Sequence, residues 1–321
     1  MEIDLSTFPD GLYQFGGVPV SSAPEPVFGK VWFVDATNGS DDLDGLKPTQ
    51  AKKTIQAAIT AQIANTSSLG DAIYVFPGSY AESLTGDLTR VQIIGVNAGG
   101  HTHAVSVRPT ASYAYYGTMF EATFKNIMFL SPSTSNKTLP AVQCPNMRYS
   151  VIDNCIFIGR DPTCVEGLQI GNTDAVATAA NCDYNQIINN NFTTFYGTSN
   201  EFAYGIKIGR LAYDAGCSVK QCWGTLIANN IIFAETTGIY LGVSGDRTAG
   251  TIIRNNYVSS MQDVAGTQSY GIAAYAANQA MVVNNFVASD GDAIYGFQAG
   301  QVLGNWVSLD GTAAVEGPAV T

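Results

Sequence analysis

The chain has 321 residues, of which 46% are hydrophobic and only 13% charged, with 33 glycines and 16 tyrosines. This composition is typical of a large β-rich protein with an uncharged polar surface, long enough for one elongated domain. The formal net charge is −11 with only 15 Lys and Arg residues, so no basic stripe is available for a nucleic acid backbone. We therefore expect no nucleic acid partner.

The N-terminus has neither a basic segment nor the apolar segment that follows it in a secretory signal. Nowhere does the chain contain a run of about 18 apolar residues, the length that a membrane-spanning helix needs. We expect no membrane span and no membrane partner. The same features predict synthesis in a cytoplasm without export by the general route.

Residues 1–28 are predicted to form an extended N-terminal arm, because turn dipeptides and a Pro-rich spacer alternate with aromatics. The arm is too short to bury a core of its own. Its apolar side chains are suited to docking, either on this protein's own body or on a partner, and both alternatives stay open. These partner-binding candidates are Phe8, Leu12, Tyr13 and Phe15. The body is predicted at 29–310 and a C-terminal tail at 311–321.

A strand is predicted at 31–34, and the loop after it is rich in Asp and Gly. Asp35, Asp41 and Asp44 carry oxygen ligands of the kind that calcium prefers. Their spacing is not that of an EF-hand, and Asp in such a loop commonly accepts hydrogen bonds from the backbone two residues on. We favour the structural loop and expect no metal and no other cofactor.

Apolar residues at helical spacing predict a helix at 54–64, followed by a buried strand within 70–80 that ends in a Pro-Gly turn. An open end of a stacked β structure exposes unpaired strand edges and apolar core. An amphipathic helix placed just before the first coils is therefore expected to act as a cap.

One line recurs through most of the chain: two apolar residues, a variable residue, Asn, a residue that is usually Asn, and an apolar or aromatic residue. Its copies lie at 151–156, 187–192, 226–231, 252–257, 281–286 and 301–306, with a fainter one at 124–128. Asn tolerates the left-handed backbone region, so each copy predicts two short strands joined at an Asn corner. The intervals between copies vary widely, which favours a parallel β-helix over a propeller or a helical solenoid. The stacked amides are interpreted as scaffold.

A second line, which begins with Gly and alternates apolar residues, follows each Asn corner. It occurs at 167–171, 205–209, 238–242 and 271–275, with a degenerate copy that begins with Ala at 293–297. Alternation predicts a strand that places one residue of each copy in a single inward stack. The members of this stack are Leu168, Ile206, Ile239, Ile272 and Ile294. A β-sandwich with Asn-Gly turns is the disfavoured alternative, because hairpin proteins have no reason to repeat both lines in one order.

The predicted fold class is thus all-β, a right-handed parallel β-helix with one N-terminal capping helix. The segments 33–35, 38–45, 54–58, 70–75 and 77–80 resemble the first segment of β-helix proteins of the pectate-lyase-like superfamily. Within that superfamily they are most similar to versions found in virion proteins of tailed bacteriophages. The resemblance implies the fold, but this scaffold carries lyases, hydrolases, epimerases and inert structural proteins alike.

Carbohydrate-active members of the superfamily imply a groove with paired carboxylates or a calcium site with an arginine base. The catalytic candidates are Asp161, Glu166, Glu201 and Glu235. They recur in no tight signature and fall in predicted variable loops, where solvated acids are the default. The arginine motif of pectate lyases is absent. Catalysis is therefore the alternative and not the leading hypothesis.

The resemblance favours a structural protein of a bacteriophage virion, assembled in the host cytoplasm and located on the virion surface. We expect a trimeric capsid decoration spike or a short adhesive spike that attaches to capsid or tail proteins through its N-terminal arm. A host surface glycan is a further candidate partner. The alternative is a tailspike-type polysaccharide depolymerase, either a glycosidase or a lyase.

Aromatic residues concentrated in two successive predicted loops indicate a subunit interface, because one coil cannot bury them all. They are Tyr184, Phe195, Tyr196, Phe202, Tyr204, Tyr213 and Trp223. The cysteines show no CxxC spacing, so buried free thiols are favoured over disulfides or a zinc site. His101 and His103 are interpreted as solvated loop residues.

Overall fold

The computed structural model describes residues 14–15, 18–19, 29–65, 70–96, 104–133, 139–160, 165–171, 180–194, 202–209, 219–242, 248–259, 270–274, 279–289, 292–297, 299–309 and 315–316. Within them the chain forms a right-handed parallel β-helix with one α-helix at its N-terminal end, as the sequence predicts. No helix in this described part is both long and apolar enough to cross a bilayer.

Each coil of the β-helix has up to four short strands, and the strands stack in register into four faces. Face 1 contains β6 (Leu84–Thr85), β10 (Tyr115–Tyr116), β14 (Val142–Cys144), β18 (Glu166–Ile170), β22 (Phe202–Gly209), the second half of β25 (Ile231–Gly242), β28 (Tyr270–Ala274) and β31 (Asp292–Tyr295). Face 2 is the short sheet of β7 (Leu88–Thr89), β11 (Met119–Phe120), β15 (Met147–Arg148), β19 (Ala180–Asp183) and β23 (Val219–Gln221).

Faces 3 and 4 complete each coil. Face 3 contains β3 (Val31–Val34), β4 (Asp71–Val75), β8 (Val91–Gly95), β12 (Thr123–Lys125), β16 (Val151–Asp153), β20 (Gln186–Ile188), β24 (Leu226–Ala228), β26 (Ile252–Arg254), β29 (Met281–Val283) and β32 (Val302–Leu303). Face 4 contains β5 (Gly78–Tyr80), β9 (Val105–Val107), β13 (Met128–Leu130), β17 (Ile156–Gly159), β21 (Asn191–Thr194), the first half of β25, β27 (Tyr257–Ser259), β30 (Phe286–Ser289) and β33 (Trp306–Leu309). All these pairings are parallel.

Two antiparallel pairings lie at the ends of the described chain. At the C-terminal end β34 (Val315–Glu316) pairs with β33, so the last strand of face 4 gains a hydrogen-bonded neighbour. In the predicted arm, β1 (Gln14–Phe15) pairs with β2 (Val18–Pro19). The rest of the arm, with Phe8, Leu12 and Tyr13, lies outside the described residues, as does most of the predicted tail.

The corner between faces 3 and 4 is the predicted Asn corner. The first Asn of each copy has the left-handed backbone, with φ between 50° and 59°. These residues are Asn126, Asn154, Asn189, Asn229, Asn255 and Asn284, followed by Gly304 at φ 60°. The copy predicted at 187–192 begins one residue earlier, at Gln186, because the strand register pairs Ile187 with Ile152. Its corner residue is therefore Asn189.

The second Asn of each copy forms a buried column. Asn230 Nδ2 donates to Asn256 Oδ1 at 2.9 Å and to the carbonyl of Ile187 at 2.9 Å. The same pattern joins Asn190, Asn230, Asn256, Asn285 and Asn305. Each amide thus satisfies backbone groups that the turn would otherwise leave unpaired in the interior.

The inward stack on face 1 is also confirmed. Strand register aligns Val142, Leu168, Ile206, Ile239, Ile272 and Ile294, and all are buried. A row of buried aromatic rings lies inside face 4. Phe129, Phe157 and Phe192 follow one another there, and the centres of the last two rings are 4.4 Å apart in a stacked arrangement. The core therefore runs along the axis as continuous rows of like side chains.

The predicted cap is helix α1 (Ile55–Ile63), which buries Ile55, Ala58 and Ile59 in the N-terminal end of the core. Thr54 accepts a hydrogen bond from the Ala57 amide, as an N-cap residue does. Glu82 adds a bidentate contact that accepts from the Ile55 and Gln56 amides, both at 2.9 Å. The free amide groups at the helix start are thereby paired.

Candidate functional site

The outer side of face 1 carries one residue of each coil in a single row, opposite the inward stack. This outer row, in register, is Tyr116, Gln143, Gln169, Lys207, Tyr240, Ala273 and Tyr295. Unlike the inward stack, it is mixed polar and aromatic. Its central members Gln143, Gln169 and Lys207 are nevertheless buried.

The two glutamine side chains of the outer row are incompletely paired. Within the described structure, both Oε1 and Nε2 of Gln143 are buried and lack a hydrogen-bond partner, and so does Oε1 of Gln169. Leaving a buried polar atom unpaired costs about 1–3 kcal/mol, and native proteins contain few such atoms. Their concentration on neighbouring strands makes the outer row the candidate functional site.

A buried ion pair lies beside these amides. Lys207 Nζ donates to Glu166 Oε1 at 2.6 Å, and both side chains are almost fully buried. Burial raises the pKa of the Glu166 carboxyl, because desolvation outweighs the opposite effects of the charge and hydrogen bond of Lys207. A carboxyl group with a raised pKa inside a polar site is a typical proton donor or acceptor.

Glycine positions Glu166 on the outer side. A Cβ at Gly167 would lie 2.6 Å from Cδ1 of Phe192 and 2.8 Å from the Gly205 carbonyl, so this position points into the core. Leu168, the next residue, also points inward, and the alternation of the strand is therefore interrupted. Glu166 and Gln169 consequently lie on the same side of β18.

Two tyrosines complete the cluster. Lys207 Nζ lies 4.7 Å from the centre of the Tyr204 ring, within the range of a cation–π contact. The rings of Tyr204 and Tyr240 meet edge to face with their centres 6.0 Å apart. Burial raises the pKa of the Tyr204 hydroxyl, and the negative charge of Glu166 adds to the rise. The site thus combines a cation, a titratable carboxyl group, amides and aromatic rings.

The other carboxylate candidates are not brought to Glu166 within the described structure. Glu235 is half-buried in β25, next to a register shift in the pairing of β25 with β22. It is two strands away from β18, which separates the backbones by roughly 9.6 Å. Asp161 and Glu201 lie outside the described residues.

The three Asp residues of the 35–45 loop accept hydrogen bonds from their own loop or from the start of α1. Asp35 accepts from the Thr37 and Asn38 amides and from Asn38 Nδ2. Although burial alone would raise it, these bonds bring the pKa of Asp35 below its ordinary value. Asp41 accepts from the Lys53 and Thr54 amides, and Asp44 from the Leu46 amide.

These contacts match the structural loop that the sequence favours. Among the described residues, no three side chains of His, Cys, Asp or Glu are grouped so that they could hold a metal ion.

The aromatic residues proposed as an interface are divided by the structure. Tyr184 and Trp223 are exposed, and Tyr204 is half-buried against Lys207. For Phe202 the surface prediction is wrong: its side chain is fully buried, because it begins β22 on the inward side. Phe195, Tyr196 and Tyr213 lie outside the described residues.

Sequence reasoning named Glu166 but missed Gln143, Gln169 and Lys207. A signal was present in the second repeated line, where the residue after the inward Leu168 or Ile206 is polar. In an alternating strand this position points outward, so Gln169 and Lys207 had to be neighbours once the coils were aligned. The line itself does not extend to Gln143, and only the strand register shows that it belongs to the row.

Several solved structures of known proteins are similar to this chain in fold. An alginate lyase from a Paenibacillus species superposes with a TM-score of 0.58 at 19% identity, covering 81% of this chain and 85% of its own. A pectin methylesterase from Aspergillus niger gives a TM-score of 0.52 at 14% identity, covering 94% and 92%. These structures are pectate-lyase-like parallel β-helix proteins, and this chain has a parallel β-helix fold.

A lacto-N-biosidase from Eubacterium ramulus shares the fold as well, with a TM-score of 0.53 at 11% identity over 87% of this chain and 55% of that one. No protein-family model and no curated protein matches the sequence. At these identities the likeness establishes the fold alone.

Proposed function

We propose that the protein binds a polysaccharide along the outer row of face 1 and cleaves it there. The observation that carries this proposal is the set of unpaired buried amide atoms of Gln143 and Gln169 beside the Glu166–Lys207 pair. Sugar hydroxyls both donate and accept hydrogen bonds, so they can pair with amide oxygens and nitrogens alike. The superposed structures named for alginate, pectin and lacto-N-biose chemistry support this substrate class.

Each side chain has a role in this proposal. Gln143 and Gln169 bind and orient sugar hydroxyls, and Tyr204 and Tyr240 pack against the sugar rings. Glu166 transfers the proton, because its raised pKa keeps a protonated fraction at a pH where an ordinary glutamate is ionised. Lys207 fixes the carboxyl group and places a positive charge beside it.

Two reaction types are compatible with these roles. Hydrolysis adds water across the glycosidic bond and, in the usual mechanism, uses a second carboxylate about 5–9.5 Å from the first. Elimination removes the proton next to the carboxyl group of a uronic acid unit and breaks the bond from this unit to the glycosidic oxygen. The leaving oxygen takes up a proton, and an unsaturated sugar remains. The products distinguish them, because both reactions release a new reducing end but only elimination leaves an unsaturated sugar at the other new chain end.

The test is a digest of alginate, polygalacturonate and purified bacterial capsule and lipopolysaccharide, with measurement of reducing ends and unsaturated products. We expect Glu166→Gln, assayed where unfolding measurements show the variant to be folded, to reduce the rate at least about 100-fold, since it removes the proton but keeps the shape of the side chain. Asp42→Asn, in the exposed loop, is the matched control and should leave the rate unchanged. Intact polymers in every digest, or equal rates for Glu166→Gln and wild type, would refute the proposal.

A second candidate function is a trimeric spike on a bacteriophage virion, attached to capsid or tail proteins through residues 1–28. It is favoured by an apolar stripe on the outer side of face 4, in which Ile231, Tyr257, Phe286 and Trp306 follow one another in register. Three of them are exposed by 40–48%, as is usual for an interface with another subunit. A spike of this kind can also carry the cleavage site, so the two candidates are compatible.

The spike proposal predicts a trimer at micromolar concentration in sedimentation analysis and the presence of the protein in purified particles. Deletion of residues 1–28 is expected to leave a folded trimer with unchanged thermal stability that no longer binds particles. A monomer, or a truncated protein that still decorates particles at full occupancy, would contradict it.

A further inference from the structure

The corner between faces 2 and 3 is a second column of residues with left-handed backbone. Arg90, Glu121, Tyr149 and Tyr184 occupy it in successive coils, with φ between 51° and 55°. Gly224 continues the column with φ 58°. Large side chains are rare in this region, because their Cβ approaches backbone atoms too closely. Asn and Gly adopt this backbone at a lower energetic cost, and both occur at the corner between faces 3 and 4.

The side chains at this corner point into solvent. Tyr149 and Tyr184 are 45% and 50% exposed, and Trp223, the neighbour of Gly224, is 39% exposed. The two tyrosine rings stack with their centres 5.3 Å apart and an interplanar angle of 8°. We call Tyr149, Tyr184 and Trp223 the aromatic ridge. Since strained residues are retained where their side chains have a use, the ridge is a candidate binding surface.

Charged side chains border the ridge as pairs. Arg90 Nε donates to Glu121 Oε2 at 2.8 Å. On the next coils Arg148 Nε lies 3.5 Å from Asp183 Oδ2, and its guanidinium is 5.5 Å from the centre of the Tyr149 ring. The exposed Arg90–Glu121 pair places hydrogen-bond donors and acceptors side by side with no net charge. Asp183 is buried, and its charge balances that of Arg148. This arrangement suits a ligand rich in hydroxyl groups and without charge of its own.

The column is also elongated. Arg90 and Gly224 are four coils apart, so the surface runs roughly 19 Å along the axis at the strand spacing of a β-sheet. A surface of this length has room for several consecutive units of a chain molecule. Aromatic edges and paired charges, repeated in this direction, fit an extended carbohydrate.

We propose that the aromatic ridge binds an uncharged stretch of a polysaccharide. This site goes beyond the proposed cleavage site, since it lies on another side of the coil and contains no residue assigned to the chemistry. It would hold a polymer on the protein whether or not a bond is cut. Retention can therefore be measured on the full chain carrying Glu166→Gln, which separates binding from cleavage.

The experiment is affinity electrophoresis in gels that contain dextran, galactomannan or, as the acidic comparison, alginate. We expect retention by a neutral polymer, unaffected by added NaCl because no net charge is involved. The double variant Tyr149→Asn/Tyr184→Asn should weaken retention about tenfold or more, the effect of losing two aromatic contacts. Its melting temperature should change little, since Asn fits the left-handed corner and offsets the lost stacking.

Two further variants keep the test decisive. Trp223→Gln removes a ridge side chain without touching the corner and should also weaken retention. Leu46→Asn changes an exposed apolar residue elsewhere and should have no effect. No retention by either neutral polymer, equal retention by the double variant, or retention by alginate alone would overturn the proposal. So would a change in sedimentation caused by the Tyr variants, which would assign the ridge to a subunit interface.

Discussion

Lys207 and Glu166 lie on neighbouring strands of face 1, and their buried side chains meet at 2.6 Å between Nζ and Oε1. Removal of one partner from a buried ion pair is destabilising, because the remaining charge keeps its desolvation cost without the attraction that offsets it. The pair is therefore a sensitive point of the fold as well as the centre of the candidate site.

Removal of one partner should destabilise the protein in a pH-dependent manner. Lys207→Met leaves Glu166 buried without its cation, so the pKa of Glu166 should rise further. A raised acid pKa favours folding below the unfolded value of 4.5 and loses this contribution as the pH rises through the folded value. We expect a loss of about 3 kcal/mol at about pH 8 and a smaller loss at about pH 4, measured by urea unfolding.

The control is the double variant Lys207→Met/Glu166→Gln, which removes the unpaired charge. It should recover most of the stability at the higher pH. An equal loss at both pH values would show that the Lys207 stem, and not its charge, matters.

The buried Asn column predicts a difference between the two Asn residues of one corner. Asn230→Ala removes donors to Ile187 and Asn256 and an acceptor for the Asn190 side chain, so we expect a loss of about 3 kcal/mol. Asn229→Gly keeps the left-handed corner and should cost less than about 1 kcal/mol. Denaturant unfolding of both variants measures the difference. Similar losses would contradict the assignment of the column.

The glycine that begins most copies of the second repeated line leaves no room for a side chain, so its replacement should be destabilising. A Cβ at Gly238 would meet Val258 and lie 2.8 Å from the Gly271 carbonyl, which cannot move without breaking the coil. Gly238→Ala is expected to cost about 2 kcal/mol or more. Gly300→Ala is the matched control, because nothing lies within 4 Å of its added Cβ. Thermal melting of both proteins tests the comparison, and a stable Gly238→Ala protein would refute it.

Thiol chemistry should report on unfolding. Cys144, Cys155, Cys182 and Cys222 are buried and free, and Cys222 Sγ donates to Cys182 Sγ at 3.6 Å. Burial raises the pKa of the Cys155 thiol to about 12, so little of the reactive thiolate is present at neutral pH. We expect iodoacetamide to modify these four residues at least about a thousandfold more slowly in the native protein than in urea, because all four side chains are buried until the protein unfolds. Rapid native labelling, located by mass spectrometry, would contradict this.

The repeats made the β-helix predictable because each line has one local physical meaning. Asn at a left-handed corner and alternation in a Gly-led strand do not depend on distant contacts. The one-residue error at Asn189 arose where three consecutive Asn residues, 189–191, make the line ambiguous, and only pairing of Ile187 with Ile152 resolves it. Phe202 was misplaced for a related reason, since an aromatic at the end of a loop looks the same whether the next strand starts inward or outward.

The sequence by itself determined the fold class, the capping helix, the Asn corner and the inward stack of face 1. The tertiary structure alone decided which outward residues become neighbours, because coils of different length bring together positions that have no fixed separation in sequence. Gln143, Gln169 and Lys207 are adjacent for this reason, and Lys207 meets Glu166 across 41 residues. The second left-handed corner was hidden too, since Arg, Glu and Tyr have no preference for that backbone. There the stacking of coils, and not local propensity, fixes the conformation.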